Sequence, residues 1–214
     1  MKEHVMTEAW LKHMPVVAIL RGVTPDEVVA VARTLHDAGI RAIEVPLNSP
    51  EPLRSIERLV QTFGDECLVG AGTVLSPDKV DAVRAVGGQL IVSPNVDVSV
   101  IARAVSLDMV SMPGFSTGTE AFAAIGAGAR YLKLFPASSH APGHVKALKA
   151  VLPADVAVYA VGGVTAANLQ PWVDAGVTGF GSGGDLYKPG VDLGQMADRA
   201  AGLVAAVRAA LKLA

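Results

Sequence analysis

A single cysteine, Cys67, in a chain of 214 residues leaves no partner for an intramolecular disulfide and none for a multi-cysteine metal cluster. Charge is also scarce and balanced: 18 Lys and Arg against 20 Asp and Glu give a net charge of −2. That balance provides no electrostatic footprint for nucleic acid or for an anionic membrane, and neither is expected as a partner. No stretch reaches the roughly 18 uncharged apolar residues that a spanning helix needs. The first fourteen residues carry Glu3, His4, Glu8, Lys12 and His13 and lack the apolar core of a secretion signal. A soluble, cytoplasmic protein is expected. What the chain has in quantity is apolar surface to bury: 51% of its residues are hydrophobic and only 18% charged, which excludes disorder. The length fits one large domain or two small ones, at about 100–200 residues per domain.

Short β-branched runs alternate with Ala/Leu-rich segments of helical period. Eight strands are expected, at Val16–Leu20, Ala42–Leu47, Leu68–Thr73, Leu90–Pro94, Met109–Pro113, Tyr131–Pro136, Val156–Gly162 and Val177–Gly183. Each is short, apolar and closed at or near its end by Gly, Pro or Ser, the pattern of buried parallel strands. Helices are expected between them, for example over Pro25–Ala38, Pro50–Thr62, Pro77–Val86 and Thr117–Ala127. Three of these open on Pro, where a missing N–H costs little. The Ala-Gly pairs at 38–39, 127–128 and 175–176 fit left-handed helix stops. Eight strand–helix units make a (β/α)₈ TIM barrel, an α/β fold, here as one domain over residues 1–214 with a capping helix near Lys2–His13. An open doubly wound sheet is the competitor. Its G-x-G-x-x-G signature fails at the first turn, Leu20-Arg21-Gly22-Val23-Thr24-Pro25, and Gly70-Ala71-Gly72 lacks the third glycine.

Two charges stand on strands that should be apolar. Within Ala42-Ile43-Glu44-Val45-Pro46-Leu47, the alternation sends Ile43, Val45 and Leu47 toward the helices and Glu44 into the barrel. Within Tyr131-Leu132-Lys133-Leu134-Phe135-Pro136, Leu132 and Leu134 face the helices and Lys133 faces inward. A self-satisfied ion pair is the bland alternative, but such pairs add little net stability because desolvation offsets the Coulomb gain. Burial lowers the pKa of a lysine, and a neutral amine can attack a ketone to form a Schiff base. The iminium then draws electrons from a neighbouring bond, and an inward carboxylate can carry the proton, directly or through a water.

Arg21 follows the first strand, where its fork can grip a carboxylate or phosphate, although a plain surface arginine is a common alternative. Thr73 closes the third strand after Gly70-Ala71-Gly72, a motif weak by itself. Gly162-Gly163 and Gly181-Ser182-Gly183-Gly184 close the last two strands, and the loops there are where barrels commonly bind phosphate on backbone N–H groups. Arg21, Glu44, Thr73, Pro94, Pro113, Lys133, Gly162 and Gly183 fall one per strand, at gaps of 23, 29, 21, 19, 20, 29 and 21 residues, and would converge on one rim. No histidine lies on an expected strand, and His140 and His144 read as exposed loop residues, so no metal site is expected.

These stretches resemble the 2-keto-3-deoxy-6-phosphogluconate/6-phosphogalactonate aldolase family over nearly the whole chain. The matching runs include Ile19-Leu20-Arg21-Gly22, Ile43-Glu44-Val45-Pro46-Leu47-Asn48-Ser49-Pro50, Val69-Gly70-Ala71-Gly72-Thr73-Val74-Leu75, Ser93-Pro94, Met112-Pro113-Gly114, Leu132-Lys133-Leu134-Phe135-Pro136 and Val161-Gly162-Gly163-Val164. The resemblance implies a cofactor-free class I aldolase on a (β/α)₈ barrel, a homotrimer that cleaves a six-carbon phosphorylated keto acid to pyruvate and glyceraldehyde 3-phosphate. By position it makes Lys133 the Schiff-base lysine and Glu44 the acid/base. By the same resemblance Arg21 and Thr73 hold the pyruvate-derived end, Phe135 is a pocket wall, Pro94 is a further substrate-binding residue, and Gly162, Gly163, Ser182, Gly183 and Gly184 form the phosphate loops. Asn48 and Val161, where the gluconate branch carries Arg and Thr, point to the galactonate branch. The family often has Ser where this chain has Gly184, which leaves one side-chain phosphate contact to be replaced by Ser182 or by backbone N–H groups. Two other classes stay open: a phosphosugar isomerase or epimerase on a similar barrel, and a phosphosugar-binding protein without activity.

Overall fold

A computed structural model describes residues 9–213. Of the expected capping helix, residues 9–13 are helical, and residues 2–8 lie outside the described residues. Nine strands follow: β1 Val16–Ile19, β2 Ala42–Pro46, β3 Leu68–Gly72, β4 Leu90–Val92, β5 Val110–Met112, β6 Gly114–Phe115, β7 Tyr131–Leu134, β8 Ala157–Val161 and β9 Gly179–Ser182. They pair in parallel in the order β5-β4-β3-β2-β1-β9-β8-β7-β6. The ninth strand corrects the expected count. The fifth expected strand, Met109–Pro113, breaks at Pro113, which has no N–H to donate. Its first half pairs with β4 and its continuation, β6, with β7. The seam is stitched at the break: Pro113 O accepts from Lys133 N at 2.9 Å, and Gly114 N donates to Ser93 O at 3.0 Å. The sheet thereby curls into a nearly closed parallel barrel.

Helices fill the connections: α1 Val28–Asp37, α2 Pro52–Phe63, α3 Pro77–Ala85, α4 Val98–Ser106, α5 Gly118–Gly126, α6 Pro142–Lys149, α7 Gln170–Asp174 and α8 Leu193–Leu211. The helix expected from Pro25 starts three residues later. Residues 25–27 form a turn instead, in which Glu27 Oε1 accepts from Thr24 N at 2.9 Å. Thr117 and Glu120 form a capping box at the start of α5, so two otherwise unpaired N–H groups are satisfied reciprocally. Gly39, Gly128 and Gly176 take positive φ after α1, α5 and α7, as the Ala-Gly pairs require. No helix among the described residues is long and apolar enough to cross a membrane.

The apolar side chains sort into two cores. Strand residues such as Ile43, Val45, Leu132 and Leu134 join the helices in the outer layer. Val17, Ala42, Leu68, Leu90, Val110, Tyr131 and Tyr159 fill the barrel interior, with Leu11 from the N-terminal helical segment beneath them. Interior space is tight: a Cβ on Gly179 would enter the ring of Tyr159. Glycine there is therefore a packing requirement of the neighbouring tyrosine.

Candidate active site

The alternation that sends Ile43 and Val45 outward leaves Glu44 inside the barrel, 3% exposed. Lys133 is likewise flanked by outward Leu132 and Leu134, and is 7% exposed. Its strand is fixed on both sides, Lys133 facing Gly114 on β6 and Tyr159 on β8. Glu44 pairs in register with Gly70 on β3. Room for its carboxylate comes from Gly72, where any Cβ would overlap the two carboxylate oxygens. Oε2 of Glu44 is buried without a hydrogen-bond partner, and Lys133 Nζ lies 4.7 Å from the centroid of the Phe135 ring. No ion pair within 4.0 Å joins Lys133 to Glu44, so the two are not locked together.

Burial moves both groups toward their neutral forms. Burial pulls Lys133 down to about 8, against the opposing pull of the Glu44 charge, and Arg21 adds to the lowering. Burial pushes Glu44 up to about 7, with Lys133 and Arg21 holding it back. With a pKa near 8, about a tenth of the Lys133 amine is neutral at pH 7, against roughly one part in 3,000 for an ordinary lysine near 10.5. A partly neutral amine beside a carboxyl that titrates near neutrality is equipped for imine chemistry with proton transfer.

The rim around this pair is held by short-range bonds. Arg21 Nη1 donates to Asn48 Oδ1 at 2.7 Å, so the residue expected to read the sugar also orients the arginine. Ser49 Oγ accepts from Gly22 N at 2.9 Å and fixes the loop that carries Arg21. Ser93 Oγ donates to Val74 O at 2.8 Å and ties the loops after β3 and β4. Neither serine was given a role by its sequence position, although both lie inside the quoted motifs. Thr73 sits in the left-handed region at φ 56°, an uncommon and costly conformation for a β-branched residue. Pro94 packs its carbonyl against Gly114, and Phe135, 38% exposed, forms the outer wall above Lys133. Val161 is buried and faces inward against Gly181.

Gly162 and Gly163 both adopt positive φ, and their carbonyls are held by Ser138 N at 2.9 Å and Asn168 Nδ2 at 2.9 Å. After β9, Gly183 O accepts from Leu186 N and Tyr187 N, closing a single turn. Ser182 and Gly184 line a cavity beside that turn. Both histidines differ from the expectation of exposed loop residues, and His144 lies on α6 rather than in a loop. His140 and His144 are half-buried and stacked, with centroids 4.4 Å apart, because both reach Ser116: His140 Nε2 lies 2.7 Å from its Oγ and His144 Nε2 2.7 Å from its carbonyl O. Among the described residues no three His, Cys, Asp or Glu side chains are grouped to hold a metal ion. Cys67 is a packing residue whose thiol burial pushes up to about 11.

The comparisons with known proteins point one way. The family model for KDPG and KHG aldolase matches residues 7–196. The chain is 52% identical to a 2-dehydro-3-deoxy-6-phosphogalactonate aldolase of Escherichia coli strain K12, over 95% of this chain and 99% of that one. It is 48% identical to a probable enzyme of the same name from Rhizobium meliloti, over 90% and 91%. A solved structure described as native KDPGal superposes with a TM-score of 0.92 at 52% identity, covering 94% of this chain and 97% of the other. Matched from near its first residue into its last helix, the chain belongs to the KDPG and KHG aldolase family, and it is a lyase.

Proposed function

We propose that this protein is a class I aldolase that splits 2-dehydro-3-deoxy-6-phosphogalactonate into pyruvate and D-glyceraldehyde 3-phosphate. The observation that carries the mechanism is the inward lysine and carboxylate, both buried and not ion-paired, in one barrel. The lone pair of Lys133 Nζ adds to the C2 carbonyl, and loss of water gives an iminium. Glu44 takes the proton from the C4 hydroxyl, directly or through a water. The C3–C4 bond breaks, its electron pair enters the iminium to form an enamine, and the aldehyde leaves. The enamine takes a proton at C3 from Glu44, and water releases pyruvate and the free lysine. Arg21, steadied by Asn48, holds the carboxylate end. Thr73, Pro94 and Phe135 wall the pyruvate end, while Gly162, Gly163, Ser182, Gly183 and Gly184 hold the phosphate.

The names of the two half-identical relatives support the galactonate epimer. So do Asn48 and Val161. An arginine at 48 would bring a second guanidinium to Arg21 in place of an acceptor, and Val161 offers no hydroxyl to the sugar. Borohydride reduction in the presence of pyruvate, followed by peptide mass analysis, tests the imine. A label on Lys133 is expected, and its absence overturns the mechanism. Turnover on the two C4 epimers tests the substrate. We expect kcat/KM at least about tenfold higher for the galactonate epimer, and the reverse order overturns that assignment. We read the chain as one aldolase domain, active in the cytoplasm as a homotrimer. Self-association is supported by a related chain, 53% identical, from a protein cage designed by fusing symmetric oligomeric domains. Sedimentation as a monomer would overturn the trimer.

A further inference from the structure

Between the loop after β8 and the turn after β9 lies a cavity of about 560 Å³. Thr165 lines it from the first loop, Ser182, Gly184 and Asp185 from the second, Lys188 from the segment that follows, and Arg199 from α8. Among the described residues neither Lys188 nor Arg199 has an ion-pair partner, and the hydroxyls of Thr165 and Ser182 hold no hydrogen bond. Two cations against the single carboxylate of Asp185 leave the wall with one net positive charge.

Lys188 is exposed, but the backbone that carries it is held in place. Tyr187 before it is buried, and its hydroxyl donates to Glu27 Oε1 at 3.2 Å. Pro189 after it packs against Gly22, where a Cβ would come within 2.9 Å of its Cγ. The backbone at 188 is therefore pinned from both sides to the loop that carries Arg21. The stem of Lys188 lies over Gly184: its Cε is 3.5 Å from the place a Cβ at 184 would take. A side chain at 184 would compete with that stem, and the glycine leaves the space to the lysine.

We propose that Lys188, with Arg199 across the same cavity, supplies the charged part of the phosphate subsite and sets the preference for phosphorylated over unphosphorylated keto acids. A phosphate monoester brings close to two negative charges, and backbone N–H groups alone leave them uncompensated. The two cations and two free hydroxyls offer charge-assisted hydrogen bonds at the site where side-chain help is missing at 184. This inference rests on the aldolase reading above.

The test is steady-state cleavage of the phosphorylated keto acid and of its dephosphorylated counterpart by the wild type, Lys188→Met and Lys188→Arg. For Lys188→Met we expect KM for the phosphorylated substrate to rise about 10- to 100-fold, the loss of one hydrogen bond to a charged group. Its kcat should fall less than about threefold, and KM for the dephosphorylated acid should not move. Lys188→Arg should restore most of the loss. Equal shifts on both substrates, or no shift on either, overturn the role given to Lys188. A wild type that traps no pyruvate with borohydride overturns the aldolase reading itself, so the two failures are distinguishable.

Discussion

On β7, Tyr131 and Lys133 face the barrel interior one pleat repeat apart, and on β2 so do Ala42 and Glu44. About 6.6 Å of strand separates a greasy end from a charged one. At the N-terminal end the interior is closed by Tyr131 and Tyr159, packed edge to face at 6.2 Å, with Leu11 below. At the C-terminal end the same layer holds an amine and a carboxylate that burial drives toward their neutral forms. One end gains stability from what it buries, whereas the other spends some of that gain on reactivity.

The contrast can be broken at its strongest point first. Lys133→Met should cut kcat/KM by more than about a thousandfold, since no other amine replaces the covalent step. Steady-state assays of the purified variant check this, and residual activity within tenfold of wild type would disprove it. At the opposite end, Tyr159→Ala should destabilise the fold by about 3–5 kcal/mol in urea titration. Its kcat/KM per folded molecule should stay within about threefold. A loss of activity out of proportion to folding would show that the two ends are coupled.

Glu44→Gln should lower kcat by about 100-fold or more and still trap pyruvate on Lys133, because the amide cannot take the C4 proton yet leaves the amine in place. Stability against pH sharpens the comparison further. Glu44 is raised from 4.5 to about 7, so between those values the unfolded chain loses its proton first and stability falls as pH rises. Lys133 is lowered from 10.5 to about 8, so its cost is fully present below about 8 and is relieved between about 8 and 10.5. The fold should therefore be least helped by this pair between pH 7 and 8. Urea midpoints at pH 5, 7.5 and 9.5 should show the alkaline recovery in wild type and lose it in Lys133→Met. Smallest of these, Asn48→Ala should reduce kcat/KM about three- to tenfold by freeing Arg21 from its acceptor, with KM carrying most of the change. An unchanged KM would remove Asn48 from the positioning of Arg21.

Much of this was legible in the chain because parallel strands buried on both faces leave so little excuse for a charge. Glu44 and Lys133 could be oriented from their apolar neighbours alone, and the pitch of the strands placed both on the interior. The seam at Pro113 was not legible. A proline closing a short apolar run looks like an ordinary strand end, and only the pairing partners show the chain continuing as β6. His140, in the loop after β7, and His144, on α6, are illegible for a related reason: their environment is set by Ser116, a residue 24 and 28 positions away whose approach no local pattern announces. Ser49 and Ser93 escaped because a small polar residue in a turn signals only the turn.

Gly72 ties the history of two positions together. As long as the second strand keeps its acid, even the smallest side chain at position 72 would displace the carboxylate of Glu44 from where it now lies. A lineage that lost Glu44 would be released from that restriction and could drift there to alanine or serine. A lineage that retained the acid could do so only by shifting its carboxylate. Among descendants of this fold the two sites should therefore tend to change together.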